Sequence, residues 1–215
     1  MSVGDRTATL YAEAEKLARA GQHDLALRRF QQVLARTQPL EAEETPEAYF
    51  EPYQGEPAQF DEAETRTHKG KPVRLVVDYF TAALYHCGYL FAATGQVDEA
   101  KKYLEQAALL WPKNVTIVRE LAQVYERAGE LSNALALLQE ATEQHPESAA
   151  LHHDLAWLYN EVGRPGEAIV AARAAIALDP QPIAAYEELC AAHEKLGQHA
   201  QAEAVRLEVA RRTLA

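Results

Sequence analysis

The sequence predicts an all-α fold, a solenoid of antiparallel helix pairs stacked one upon the next, and three observations carry that prediction. The composition is helical in character: 48% of the 215 residues are hydrophobic and 8% aromatic, with 10 Gly and 10 Pro. Gly95, Gly129, Gly163 and Gly197 recur at a fixed spacing of 34 residues. Pro112, Pro146 and Pro180 recur at the same 34-residue spacing, and a fixed period of this length marks a repeat architecture.

Each recurring position has a physical reason. The glycine tolerates the left-handed backbone that ends the first helix of a pair. Five residues after it comes an alanine (Ala100, Ala134, Ala168, Ala202), and seven before it a small residue: Gly88, Ala122, Ala156 or Cys190. Small side chains on both helices let two backbones approach closely, while Leu104, Leu138 and the aromatics fill the remaining volume. The proline stops the second helix. One such hairpin cannot bury its apolar face alone, so the repeats stack.

These residues resemble the tetratricopeptide repeat, and the resemblance implies a right-handed α-solenoid of about five repeats. Three are well formed, at 81–114, 115–148 and 149–182. A fourth begins at Ile183 and keeps Leu189, Gly197 and Ala202, but Arg206 stands where an apolar residue is usual, as suits a capping repeat over 183–215 that faces water. Ala14, Leu17, Gly21, Ala26, Phe30 and Val33 place a further repeat within 1–40, with Glu13 at another normally apolar position.

Residues 41–72 break the register. From Glu41 to Glu64 run nine acidic side chains with no basic one, interrupted by Pro46, Pro52 and Pro57 and carrying Tyr49, Phe50, Tyr53 and Phe60. A solvated linker does not need four aromatics, so three readings stay open: a loop covering a seam between repeats, a segment docked in the protein's own groove, or a partner-binding element. After Pro72 the apolar pattern Val73, Leu75, Val76, Tyr79, Phe80, Ala83, Leu84, Cys87 reads as one helix extending the first repeat of the 73–182 block by roughly two turns. That helix, over 73–91, or an edge of the array offers a surface for homo-dimerisation.

The formal charge of −11 argues against nucleic acid and anionic lipid, which need a concentrated basic surface, and favours partners with basic or mixed surfaces. Cys87 and Cys190, far apart on helix faces, suit free thiols in a reducing compartment. Residues Met1–Leu10 carry Asp5 and Arg6 where a signal peptide needs apolar residues, and no run approaches a membrane span, so the expected location is cytoplasmic. Alanine and arginine usage points toward a bacterial source. No phosphate-cradling loop, nucleophile elbow or carboxylate pair is present, so no enzyme and no cofactor is expected. His152, His153 and Asp154 are adjacent on a helix and do not converge on a metal.

The resemblance also implies where binding occurs, on a concave face lined by the first helix of each repeat. By register this face presents Tyr11, Glu15 and Arg19, then Tyr85 and Tyr89, then Arg119, Gln123, Glu126 and Arg127, then His153, Trp157, Asn160 and Glu161. Tyr, Trp and Arg are enriched at binding hot spots, so the expectation is capture of a protein segment, with apolar anchors on Tyr85, Tyr89 and Trp157. Arg119 and Arg127 would meet an acidic group, and Gln123 and Asn160 a peptide backbone. The clamp by which some relatives grip acidic chaperone tails is missing, since Tyr85, Tyr89, Gln123, Ala150 and Asp154 stand in its place. The expected role is a non-catalytic adaptor or assembly scaffold for another protein. The alternatives are a dedicated chaperone for a secreted or membrane-complex client, and a ligand sensor or enzyme built on the insert.

Overall fold

Ten helices lie among the described residues of the computed structural model, which describes the backbone of residues 3–38, 43–44, 49–53, 66–68 and 71–213, with side chains over 6–38 and 78–212. The packed pairs are α1 (Val3–Arg19) with α2 (His23–Leu34) and α3 (Tyr79–Ala93) with α4 (Val97–Leu110), after which α5 (Val115–Arg127) and α6 (Leu131–Gln144) follow in the chain. They continue with α7 (Ala149–Glu161) and α8 (Pro165–Leu178), then α9 (Ile183–Lys195) and α10 (His199–Thr213). The architecture is an all-α helical-repeat solenoid, interrupted between the first and second hairpins by a small sheet. The chain forms two compact units, Met1–Glu120 and Leu121–Ala215, and the division falls inside α5.

The glycines act as the period predicts. At Gly95 φ is +77°, a left-handed conformation that costs other residues about 1–2 kcal/mol. It lets Gln96 N–H reach the Phe91 carbonyl at 2.9 Å and Gly95 N–H the Ala92 carbonyl at 3.2 Å, closing the end of α3. The same geometry ends α1, α5, α7 and α9. Gly88 answers a different need: a Cβ there would lie 2.5 Å from Leu104 Cγ, so glycine is what allows α3 and α4 to touch. Ala100, Leu104 and Ala107 are buried opposite it.

The two residues that depart from the apolar pattern are both used in ion pairs within their own hairpins. Glu13 on α1 meets Arg29 on α2 at 3.5 Å. Arg206 on α10 pairs with Glu194 on α9 and with Glu203 at 3.2 Å.

The sheet corrects the sequence reading. Residues 71–77 are not the start of a long helix: Lys71–Val77 is strand β4, and α3 begins at Tyr79. Strands β1 (Glu43–Glu44), β2 (Tyr49–Tyr53), β3 (Arg66–His68) and β4 lie in the order β1-β2-β4-β3. β2 runs parallel to β4, pairing Tyr49 with Val73 and Tyr53 with Val77, and the two outer pairings are antiparallel. The β-branched run Val73, Val76, Val77 favours a strand. Asp78 then restarts the chain as a helix, its Oδ1 accepting from the Phe80 and Thr81 N–H groups at 3.1 Å each and its Oδ2 from the Thr81 hydroxyl at 2.6 Å. The longer leading helix, and the dimer surface expected along it, therefore do not exist in that form. Phe60 lies outside the described residues, as do the side chains of Tyr49, Phe50 and Tyr53, so the readings that rested on them are not resolved by the sheet.

Candidate functional site

The first helices of the repeats carry the residues that the sequence placed on the concave face, and each compact unit uses them differently. In the N-terminal unit, α1 supplies Tyr11, Glu15 and Arg19 at successive turns, which the helical repeat places on one face. α3 supplies Tyr85 and Tyr89, again one turn apart. Tyr11, expected to face a ligand, is instead core at 2% exposure. Its ring meets Phe30 edge-on at 5.4 Å, Tyr79 at 5.3 Å and His86 at 5.7 Å, while His86 stacks on Phe30 at 4.8 Å with 8° between planes. Such ring pairs contribute about 0.5–1.5 kcal/mol each beyond the area they bury. His86 continues the series to Tyr85 at 5.0 Å, and Tyr85 to Tyr89 at 6.4 Å. Tyr85 is half-buried, whereas Tyr89 is 44% exposed. A run of rings thus leads from the core to solvent along α3.

The charges on this face of α1 are Glu15 and Arg19, which pair at 3.5 Å. Burial and then the Glu15 carboxylate push the Tyr79 phenol above its ordinary value. Arg119, at the end of this unit, is half-buried and already engaged with other groups of the chain.

In the C-terminal unit the same face is fastened internally. Asn160, expected to meet a peptide backbone, is only 4% exposed. Its Nδ2 donates to the Glu188 carbonyl at 3.0 Å and to the Glu188 carboxylate at 2.8 Å, and Lys195 Nζ donates to the Asn160 carbonyl at 2.5 Å. Residues of α7 and α9 are joined by three hydrogen bonds that no ligand can use without breaking them. Asn160 Oδ1 is buried and accepts no bond.

Around this link Trp157 and His153 are half-buried, with His153 Nδ1 3.1 Å from Asp154 Oδ1, while Gln123 and Arg127 are exposed. Arg127 is already engaged, so the expected meeting of two arginines with an acidic ligand loses its free cations. Glu126 titrates above the usual carboxylate range because it is desolvated and Glu161 repels its charge, with Arg127 opposing the shift. The histidines hold local structure: His152 Nε2 donates to the Pro146 carbonyl at 3.0 Å, and His193 Nδ1 lies 2.6 Å from Gln198 Oε1. Burial pushes the Cys87 thiol up to about 12, which suits a packing residue.

Sequence reasoning missed the Asn160–Glu188–Lys195 link and the Tyr11–Phe30–His86 cluster. The first has no local signal, because Glu188 lies 28 residues on. The second was visible only as aromatic residues at repeat positions.

Comparison with known proteins gives one consistent answer. Residues 91–158 and, overlapping them, 127–169 match the tetratricopeptide-repeat family model. Solved structures share the fold. MamA residues 41 to the end from Desulfovibrio magneticus RS-1 matches at TM-score 0.71 and 16% identity, over 99% of this chain and 97% of that one. MamA of AMB-1 matches at TM-score 0.62 and 19% identity, over 97% and 92%. A tetratricopeptide repeat protein from Parabacteroides merdae ATCC 43184 matches at TM-score 0.69 and 16% identity, over 93% of this chain and 63% of that one. No curated protein matches the sequence significantly.

Proposed function

We propose that this chain, whose residues 91–169 match the tetratricopeptide-repeat model and whose fold is shared by solved repeat proteins, is a non-catalytic adaptor that holds a segment of another protein on the face of its first helices. The observation that carries this reading is Tyr89, a large amphipathic side chain left 44% exposed on the first helix of its repeat. Tyr85 stands beside it at 6.4 Å between ring centroids, giving a rigid aromatic step that anchors an apolar or cationic side chain at low entropic cost. In the C-terminal unit Trp157 and Gln123 provide the counterpart, a half-buried ring and an exposed amide.

A photo-crosslinking side chain placed at Tyr89, at Trp157 and at the exposed outer residues Leu109 and Val170 tests the reading in cells. One defined protein is expected to crosslink from positions 89 and 157 and not from 109 or 170. Equal crosslinking from both faces, or from the outer one alone, overturns it.

A further inference from the structure

Helix α8, in the C-terminal unit, is apolar on the side that water reaches. Of its 14 residues only Glu167 and Arg173 are charged. Ala168, Ala171, Ala172 and Ala175 are buried. Away from them run Gly166, Val170, Ala174, Ala177 and Leu178, with Val170 70% and Leu178 44% exposed. The repeat does not require this. One period of 34 residues earlier, on α6 of the same unit, the corresponding places hold Ser132, Ala136, Glu140, Glu143 and Gln144. A strip that is charged and polar on one helix and apolar on its counterpart marks a contact surface.

We infer that the outer face of α8 receives a second copy of this chain, the two α8 helices lying antiparallel about a two-fold axis at Val170. The inference does not depend on the adaptor reading, which concerns the first helices.

Symmetry and charge select this occupant. In a two-fold contact residue i meets residue j while j meets i, so the surface must complement itself. Glu167 and Arg173 lie three residues on either side of Val170. Antiparallel pairing there brings each Glu167 level with the other copy's Arg173, and Val170 against its own counterpart. It also sets Gly166 level with Ala174, and small residues at matched levels let two helix axes approach closely. Parallel pairing would set like charges level with each other. Arg173 is exposed and makes no ion pair or side-chain hydrogen bond among the described residues. Glu167 is held by Arg164 on the same hairpin, and its two oxygens keep lone pairs that accept from a second guanidinium. Copies of a chain with a formal charge of −11 repel one another, whereas α8 carries one charge of each sign, so contact along it adds no net like charge.

Sedimentation velocity of the full chain tests the inference. One helix face is small for an interface, so the expected result is a reversible dimer with a Kd on the order of 10–100 μM. Val170→Glu should weaken association at least about tenfold, with circular dichroism verifying that the helices persist at this exposed site. Glu167→Arg should weaken it as well, by setting like charges level, and adding Arg173→Glu should return it toward the wild-type value. In a Cys190→Ala background, Val170→Cys should give a disulfide-linked dimer on mild oxidation. Leu109→Cys, placed on the exposed side of α4, should not.

A monomer up to about 1 mM, a dimer indifferent to Val170→Glu, or a double reversal that fails to restore association overturns the inference. So does a crosslinking side chain at position 170 that captures a different protein in place of a second copy. Self-capture at position 170 gives a product of twice the chain's mass, distinct from the partner expected at positions 89 and 157. Either reading can therefore fail while the other stands.

Discussion

Helices α3 and α7 hold the same place in their repeats, yet one presents its first-helix face to solvent and the other ties it to a neighbouring helix. On α3 Tyr85 is half-buried and Tyr89 exposed, and their rings adjoin one another and His86. On α7 the position near the helix end is Asn160, whose side-chain amide reaches Glu188 while its main-chain carbonyl accepts from Lys195. The difference follows from place as well as chemistry, since Asn160 falls two 34-residue periods after Ala92, whereas Tyr85 and Tyr89 correspond to His153 and Trp157. A short amide near a neighbouring backbone finds partners there and is consumed as a fastener, whereas a phenol ring outgrows its neighbours and remains as surface. A repeat position therefore specifies where a side chain is, and its chemistry decides whether that place is a wall or a binding surface.

The largest effect that breaks this contrast is expected at the fastener. Asn160→Asp places a buried carboxylate against Glu188 and should cost about 3–5 kcal/mol, read by urea denaturation. Because the new acid would have a folded-state pKa raised above its unfolded value, that loss should shrink as pH falls toward the unfolded carboxylate pKa. Asn160→Leu removes the donor without adding charge and should cost about 1–3 kcal/mol at any pH. If Asn160→Leu is neutral, α7 is no more fastened than α3.

Gly88→Ala tests the N-terminal unit from within, since the new methyl meets Leu104 at 2.5 Å; a loss of about 1–3 kcal/mol is expected in the same assay. Tyr89→Ala should leave stability within about 0.5 kcal/mol while reducing partner affinity about 30-fold, the size of a hot spot. An equal stability loss at Tyr89 would turn the open face into packing.

The smallest expected effect is electrostatic. The Glu126 carboxyl titrates above its ordinary range, from desolvation first and Glu161 second, so its charge opposes folding once pH exceeds the unfolded carboxylate pKa. Glu126→Gln should accordingly stabilise at pH 7 by no more than about 0.5 kcal/mol, discounted for solvent screening because the group is only half-buried, and the gain should vanish in acid. Thiol chemistry sharpens the contrast as well: buried Cys87 should resist iodoacetamide in the native protein while half-buried Cys190 reacts first.

The hairpins were legible because glycine, alanine and proline recur in register, and each does one local job that no distant contact overrides. The segment from residue 71 was not. Val73, Val76, Tyr79, Phe80 and Ala83 satisfy a helical period, and only the β-branched valines and the capping potential of Asp78 argue for strand then helix. Pairing with β2 decided it, and that partner lies more than twenty residues earlier. At the candidate site, register found the face but not the occupancy of each place on it. Tyr11 is buried because Tyr79 and His86 cover it, and Asn160 is consumed by a residue of the next hairpin; neither neighbour could be inferred from a local window.

The five left-handed glycines carry a consequence that concerns chirality. Around each of them a Cβ built in the natural configuration would meet nothing within 4 Å, so no neighbour excludes a side chain there; the objection is to its handedness alone. A mirror-image alanine prefers the positive φ that these positions adopt and restricts the unfolded chain more than glycine does. Chemical synthesis with D-alanine at Gly163 should raise stability by about 0.4–1 kcal/mol, while L-alanine at the same position lowers it. The turn between the two helices of a hairpin is thus a site where a right-handed polymer borrows one residue of the opposite hand, and glycine, having no hand, is the only genetically encoded residue that supplies it without strain.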